Sequence, residues 1–494
     1  MKGVIWRPHI LGSLIGAGAI VGIVLVAAEP TKIRVHTPPA AGVVVVDMIP
    51  KTLSSETNQD SEPFLAVLPS DPSFMVASAF TPNPAGSSRP TAPIFRSKDG
   101  GKTWDLITVV PSEGSTADIT EGFSGPARQL HAGILSLPMS SNGPTNYAHL
   151  VEDDINVLSP MVIRMPRPDA DQPYVATRPD VHPGIVYVGV NDLSVVDGKT
   201  ATVDVSLDGG MTYAVHRIEV RATDLQDGPS IRPAVSNDGK VYAAFLGWRH
   251  FDRRTGIVKA DVVVVRDDNQ ARTSPAFQSL KDTDQKAGKR VAANVTIPWV
   301  NDAALGQERI GSTLSLAVDP GDGKKLYIAW GDRVGNGDIY TIHVRVSNDA
   351  GETWSADRKT MKNSTAPALA VAKNGVAGLL YQRLETIGGR QKWVTILEQS
   401  HDGFLSSSSI TLASVAADLP QPNLPYNGDY ECLIAVDGEF RGVFSANNKP
   451  ESGAFPQGVI YQRRTSATSL LDDSGTPVAP SIDPFFFSVP VATN

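Results

Sequence analysis

One phrase recurs along this chain and limits its fold more than any other feature. A short apolar strand runs into a turn rich in Asp, Gly or Pro, and a β-branched or aromatic strand follows. Phe64–Pro72 leads into Phe74–Ser78, Pro173–Thr177 into Gly184–Val190, and Arg232–Gly239 into Val241–Phe245. The phrase returns at Leu314–Asp319 with Leu326–Trp330, at Pro367–Gly375 with Val376–Leu380, and at Leu433–Gly438 with Phe440–Phe444. A weaker copy, Gln129–Leu135, lies near residue 130. Self-similarity at a fixed period is the mark of a repeat architecture.

Seven units between residues 62 and 465 leave roughly 58 residues each, room for four short antiparallel strands. Such units cannot cover their own edges, so they close into a ring. The expected fold is all-β: a β-propeller of four-stranded blades. Seven blades are expected, with six as the alternative because the second unit is weak. The last unit lacks a fourth strand. Gly42–Met48 is a candidate to complete it from the other terminus, and Pro484–Val491 competes. Residues 29–61 then read as linker and closing strand, 62–465 as propeller, and 466–494 as a C-terminal tail. The 43 glycines and 37 prolines fit this reading, since they mark turns and oppose helical bundles. The single cysteine, Cys432, sits in an apolar strand and excludes a disulfide scaffold.

The N-terminus reads differently. Lys2 and Arg7 precede an uncharged stretch from Ile10 to Ala28, rich in Gly, Ala, Ile and Val. A basic start before an apolar run is an export signal. Val26-Ala27-Ala28 offers small residues for cleavage, and the run is also long enough to serve as an uncleaved anchor. The chain is therefore expected to be exported, touching a membrane only through this segment. A net charge of −8 without a basic footprint excludes nucleic acid as a partner. No zinc, phosphate-loop or EF-hand motif occurs, so no metal or cofactor is expected.

A second pattern repeats inside the units. Ser97-Lys-Asp99-Gly-Gly101-Lys-Thr103-Trp104 is the clearest copy. Ser206–Tyr213, around Asp208, and Ser347–Trp354, around Asp349, match it, and Ser400-His-Asp402-Gly403 is a decayed copy. The Asp carboxylate can accept N–H groups across the turn, Gly supplies positive φ, and the aromatic ring fixes the hairpin to its blade. These residues resemble the Asp-box, or bacterial neuraminidase repeat, of the sialidase-like β-propeller superfamily. The resemblance implies structural roles for Asp99, Asp208 and Asp349.

The resemblance also implies a carbohydrate-active site where the innermost strands begin. Polar residues gather there: Arg128-Gln129, Asp171-Gln172, Arg232, Glu308-Arg309 and Asn427–Glu431. By likeness to sialidases, Arg128, Arg232 and Arg309 are candidates to clamp a carboxylate. Tyr430 with Glu431 is the candidate nucleophile pair, and Asp171 or Asp429 the candidate acid. Tyr430 and Glu431 are sequence neighbours, so a straight strand would aim them at opposite faces. Trp299 is a candidate to stack on a sugar face. Two functions follow: glycoside hydrolysis at the channel mouth, or glycan or protein binding without turnover. They differ in whether an acid and a nucleophile flank one bond.

Overall fold

The structure, a computed structural model, describes residues 42–80, 93–109, 116–124, 129–136, 146–152, 162–299, 311–333, 340–418 and 427–493. The expected signal or anchor, residues 1–28, lies outside them, as do Arg128 and Arg309. Among the described residues, no helix is long and apolar enough to cross a membrane.

The described residues form a β-propeller with six four-stranded blades. In each blade the strands follow chain order, every neighbour antiparallel. The first blade is Ser61–Val67, Met75–Phe80, Pro93–Ser97 and Asp105–Val109. The innermost strands of the other five are Thr116–Ser124, Ala170–Arg178, Arg232–Val235, Leu314–Val318 and Ser364–Val371, and each packs on the next. Six four-stranded blades match the alternative weighed from the sequence, and the favoured seven is not met. The remaining large sheet has five strands, and its innermost strand, Cys432–Val436, closes the circle between the sixth blade and the first.

That closing sheet uses both segments that competed for its free edge. Its order is Cys432–Val436, Glu439–Asn447, Ile482–Pro490, Val44–Asp47 and Ile460–Tyr461. The C-terminal strand is third and the N-terminal strand fourth, in antiparallel register with Val44 opposite Ser488 and Asp47 opposite Phe485. The segment 466–494, read from the sequence as a tail, thus carries an interior strand. Its Phe485, Phe486 and Phe487 are fully buried.

The second unit departs from the expected phrase. Gln129–Ser136 is its second strand, and the first is Thr116–Ser124. Asp118 and Glu121 interrupt the apolar pattern of that first strand, which hid it. Gln129 therefore starts at the opposite end from the channel mouth.

The four turn motifs join third to fourth strands and share one bonding scheme. In the first, Ser97 Oγ donates to Asp99 Oδ1 at 2.9 Å and accepts from Gly101 N–H at 2.9 Å. Thr103 donates its N–H to Asp99 Oδ1 and its hydroxyl to Oδ2, at 2.9 and 2.7 Å. Asp208 and Asp349 repeat this. The copy at Ser400 looks decayed in sequence yet is complete in geometry. Phe404, at φ +65°, takes the glycine position, and Ser406 replaces Thr with bonds of 2.9 and 2.6 Å to Asp402.

The fourth blade substitutes Asp267 for the serine. Its Oδ1 accepts from Ala271 N–H four residues on, at 2.8 Å. The turns also tie blades together. A Cβ on Gly101 would lie 2.1 Å from the Phe486 ring, so only glycine lets this hairpin reach the closing sheet. Trp104, 1% exposed, packs against the same ring at 5.5 Å.

Candidate functional site at the channel mouth

Four of the innermost strands start with a kink. Register slips between Ser61 and Phe64, Thr116 and Ile119, Asp171 and Tyr174, and Thr365 and Ala368. Within three of these bulges Glu62, Gln172 and Ala366 adopt positive φ, at 54°, 47° and 50°. Each precedes a proline, which has no N–H to offer the ladder, so the break leaves fewer donors unpaired. A bulge re-aims side chains that a regular strand would send sideways. Here it gathers Glu62, Asp118 and Gln172 from three consecutive blades.

A buried network joins them to three further sheets. Gln172 Nε2 donates to Asp429 Oδ2 and to Ser312 Oγ, both at 2.9 Å. Ser312 Oγ in turn donates to Asp429 Oδ2 at 3.0 Å. Arg232 Nη2 donates to Gln172 Oε1 at 3.1 Å, and its Nε to Leu314 O at 3.3 Å. The N–H of Asp429 donates to Glu62 Oε1 at 3.3 Å. Gly428, at φ +108°, permits this approach, since a Cβ there would stand 2.6 Å from Glu62 N. The Arg232 guanidinium lies over the rings of Tyr174 and Tyr430, at 4.4 and 5.6 Å from their centroids.

The electrostatics single out Asp118. Burial, followed by the charges of Glu62, Asp171 and Asp429, holds the Asp118 carboxyl well above the usual carboxylate range. Burial also lifts the Tyr430 phenol well above its ordinary value, and Asp118 and Glu62 add to this. Tyr430 is 4% exposed, and its hydroxyl has no hydrogen-bond partner among the described residues. Asp171 is the more accessible acid, half-buried, with Oδ1 accepting from Gln172 N–H at 2.9 Å.

Four of the residues expected from the sequence therefore meet here: Asp171, Arg232, Asp429 and Tyr430. Glu431 is buried beside Tyr430, but the charges acting most on the phenol come from Asp118, Glu62, Arg232 and Asp429. Trp299 is half-buried and stands edge-on to Trp248 at 5.1 Å, within the hydrophobic core. Sequence reasoning placed Gln172 at the mouth without a role, and missed Glu62, Asp118 and Ser312. A signal existed: Glu62-Pro63, Gln172-Pro173 and Ala366-Pro367 mark the same bulge in three blades.

No protein-family model matches the chain. No curated protein sequence matches it. Solved structures do. An ulvan lyase, a polysaccharide lyase, is 10% identical with a TM-score of 0.50, covering 86% of this chain and 99% of that one. The same enzyme bound to a GlcA–Rha3S oligosaccharide gives 11% and 0.50 over the same shares. A Penicillium chrysogenum alpha-L-arabinanase complexed with arabinobiose is 12% identical with a TM-score of 0.46, covering 90% and 98%. These neighbours are carbohydrate-active enzymes, and at such identities the likeness concerns the fold.

Proposed function

We propose that this chain is an exported, sialidase-like Asp-box propeller that cleaves a glycosidic bond at its channel mouth. The observation that carries the reading is the pairing of Asp118, whose carboxyl is pushed toward its protonated form, with the more accessible Asp171. A carboxyl that keeps its proton, close to a second carboxyl that solvent reaches, fits the pair of acids that glycoside hydrolysis requires. Asp118 is then the acid and Asp171 its partner, while Asp429 and Gln172 hold the mouth in shape. Arg232 supplies positive charge for an anionic sugar. The four turn motifs support the sialidase-like assignment, and the basic, then apolar, N-terminus supports export.

A second reading is a glycan-binding propeller without turnover. Tyr430 favours it, because a phenol buried and raised in this way is a poor nucleophile. A hydrolysis screen over aryl glycosides, including a sialoside, separates the two. Hydrolysis predicts turnover that Asp171→Asn abolishes and whose alkaline limb Asp118→Asn removes. No turnover, with glycan-array binding lost in Asp171→Asn, supports the binder. Neither turnover nor binding sinks both.

A further inference from the structure

A second cluster of carboxylates, distinct from the mouth network, comes within two residues of Glu62, where the segment after Val44–Asp47 meets the strand Ile482–Pro490. Oxygens of Glu56, Asp60 and Asp483 all lie within 4.8 Å of one another. Asp60 and Asp483 are buried, at 2% and 0% exposed. Asp483 sits on the C-terminal strand, and Glu56 and Asp60 on the segment between the N-terminal strand and the first blade. The N–H of Asp60 donates to Ile482 O at 2.8 Å, which fixes the two segments side by side.

A fourth carboxylate, Asp47 on the strand Val44–Asp47, meets this group at Asp483. Asp47 is fully buried, and its carboxyl faces that of Asp483. Its Oδ1 accepts from Ile49 N–H at 3.0 Å, whereas Oδ2 has no partner among the described residues. Glu56 Oε2 is likewise without a partner there. One guanidinium serves the group: Arg463 donates through Nη1 to Asp483 Oδ2 at 2.8 Å, and through Nη2 to the carbonyls of Ser54 and Glu56. Three buried carboxylates and the half-buried Glu56 share one fixed cation among the described residues. Burying uncompensated charge is costly, so the remainder needs protons or a bound cation.

We propose that Glu56, Asp60 and Asp483 bind a calcium-class divalent cation, with Asp47 Oδ2 directed at it, and that the cation clasps the two chain ends. The donor set is all oxygen and carboxylate-rich, which suits a hard cation and offers nothing to a soft one. The three ligands come from both partners of the ring closure, so binding favours the closed ring over any state in which the terminal strands part. Protonation is the competing way to satisfy the same oxygens. Burial and Asp483 already push the Glu56 carboxyl up to about 7.

The test is thermal unfolding of the full chain, stripped with EDTA and then titrated with CaCl2, with NaCl at matched ionic strength as control. A saturable rise of several degrees in the midpoint is expected with calcium and not with sodium. Terbium emission excited through Tyr461, whose ring lies near Asp47 and Asp483, should saturate at one equivalent and be displaced by calcium. Glu56→Gln alters the least buried ligand, so it should fold while losing the calcium response and the terbium signal. Asp47→Asn should weaken both. A midpoint indifferent to millimolar calcium, or a calcium response unchanged in Glu56→Gln, overturns the proposal. A stripped protein whose stability rises only on acidification assigns the cluster to protons instead.

Discussion

Asp99 and Asp429 are both carboxylates held by hydroxyl and N–H groups, at opposite faces of the propeller. Asp99 takes its bonds from Ser97 and Thr103, two and four residues away, in an exposed turn. Asp429 takes its bonds from Ser312 and Gln172, 117 and 257 residues away, and is 1% exposed. A turn that satisfies itself locally needs little loop closure and forms whenever its hairpin forms. The mouth is complete only when the blades that supply it are all in place. The same chemistry is thus a local staple on one face and a register of ring closure on the other.

The largest effect should come from the mouth. Arg232→Leu leaves Asp429, Asp118 and Glu62 without their buried cation and should cost about 3–5 kcal/mol, read from urea midpoints. A loss below about 1 kcal/mol would show that the mouth behaves like a local turn after all.

The two faces should also respond to pH with opposite sign. Glu121, on the same innermost strand as Asp118, is raised by burial to about 8 from 4.5. A raised folded-state value gives a stability share fully present below 4.5 and lost as pH rises through about 8. Between pH 5 and 7 that loss amounts to about 2 kcal/mol, and Glu121→Gln should flatten it. On the turn face, hydrogen bonds from Ser406 lower Asp402 to about 2 from 3.8. Its share is present above 3.8 and lost as pH falls toward 2, so Asp402→Asn should remove part of the acid limb. Reversed slopes would break the comparison.

The smallest effects belong to single turns. Asp99→Ala should cost about 1 kcal/mol, the loss of a capping carboxylate, and Asp99→Asn less. Asp402→Ala should lower the thermal midpoint by an amount comparable to Asp99→Ala, since Ser406 and Phe404 reproduce the complete bond set. A silent Asp402→Ala would restore the sequence reading of that copy as decayed.

This difference between the faces also explains what the sequence disclosed. The turn motifs were legible because donor, acceptor and glycine lie within seven residues of each other. The blades were legible because period-two strands and turn residues are local signals. The mouth was legible only in part. Arg232, Asp171 and Asp429 stand out as polar residues at strand starts, but Asp118 lies inside the strand whose pattern it spoils. Gln172 and Ser312 carry no special chemistry until three blades converge on them. The sharing of the closing sheet was harder still. Both terminal segments looked like edge strands, and nothing local says that one must lie inside the other.

That nesting sets an order of events. The strand Ile482–Pro490 lies between Glu439–Asn447 and Val44–Asp47. The strand Val44–Asp47 therefore has no antiparallel neighbour until residues 485–488 have emerged. Blades can form one after another and Cys432–Val436 can meet the first blade, yet the closing sheet stays unfinished while Gly101 waits for Phe486. A chain ending before residue 482 would lose the strand that joins Glu439–Asn447 to Val44–Asp47, leaving the latter only its parallel pairing with Ile460–Tyr461.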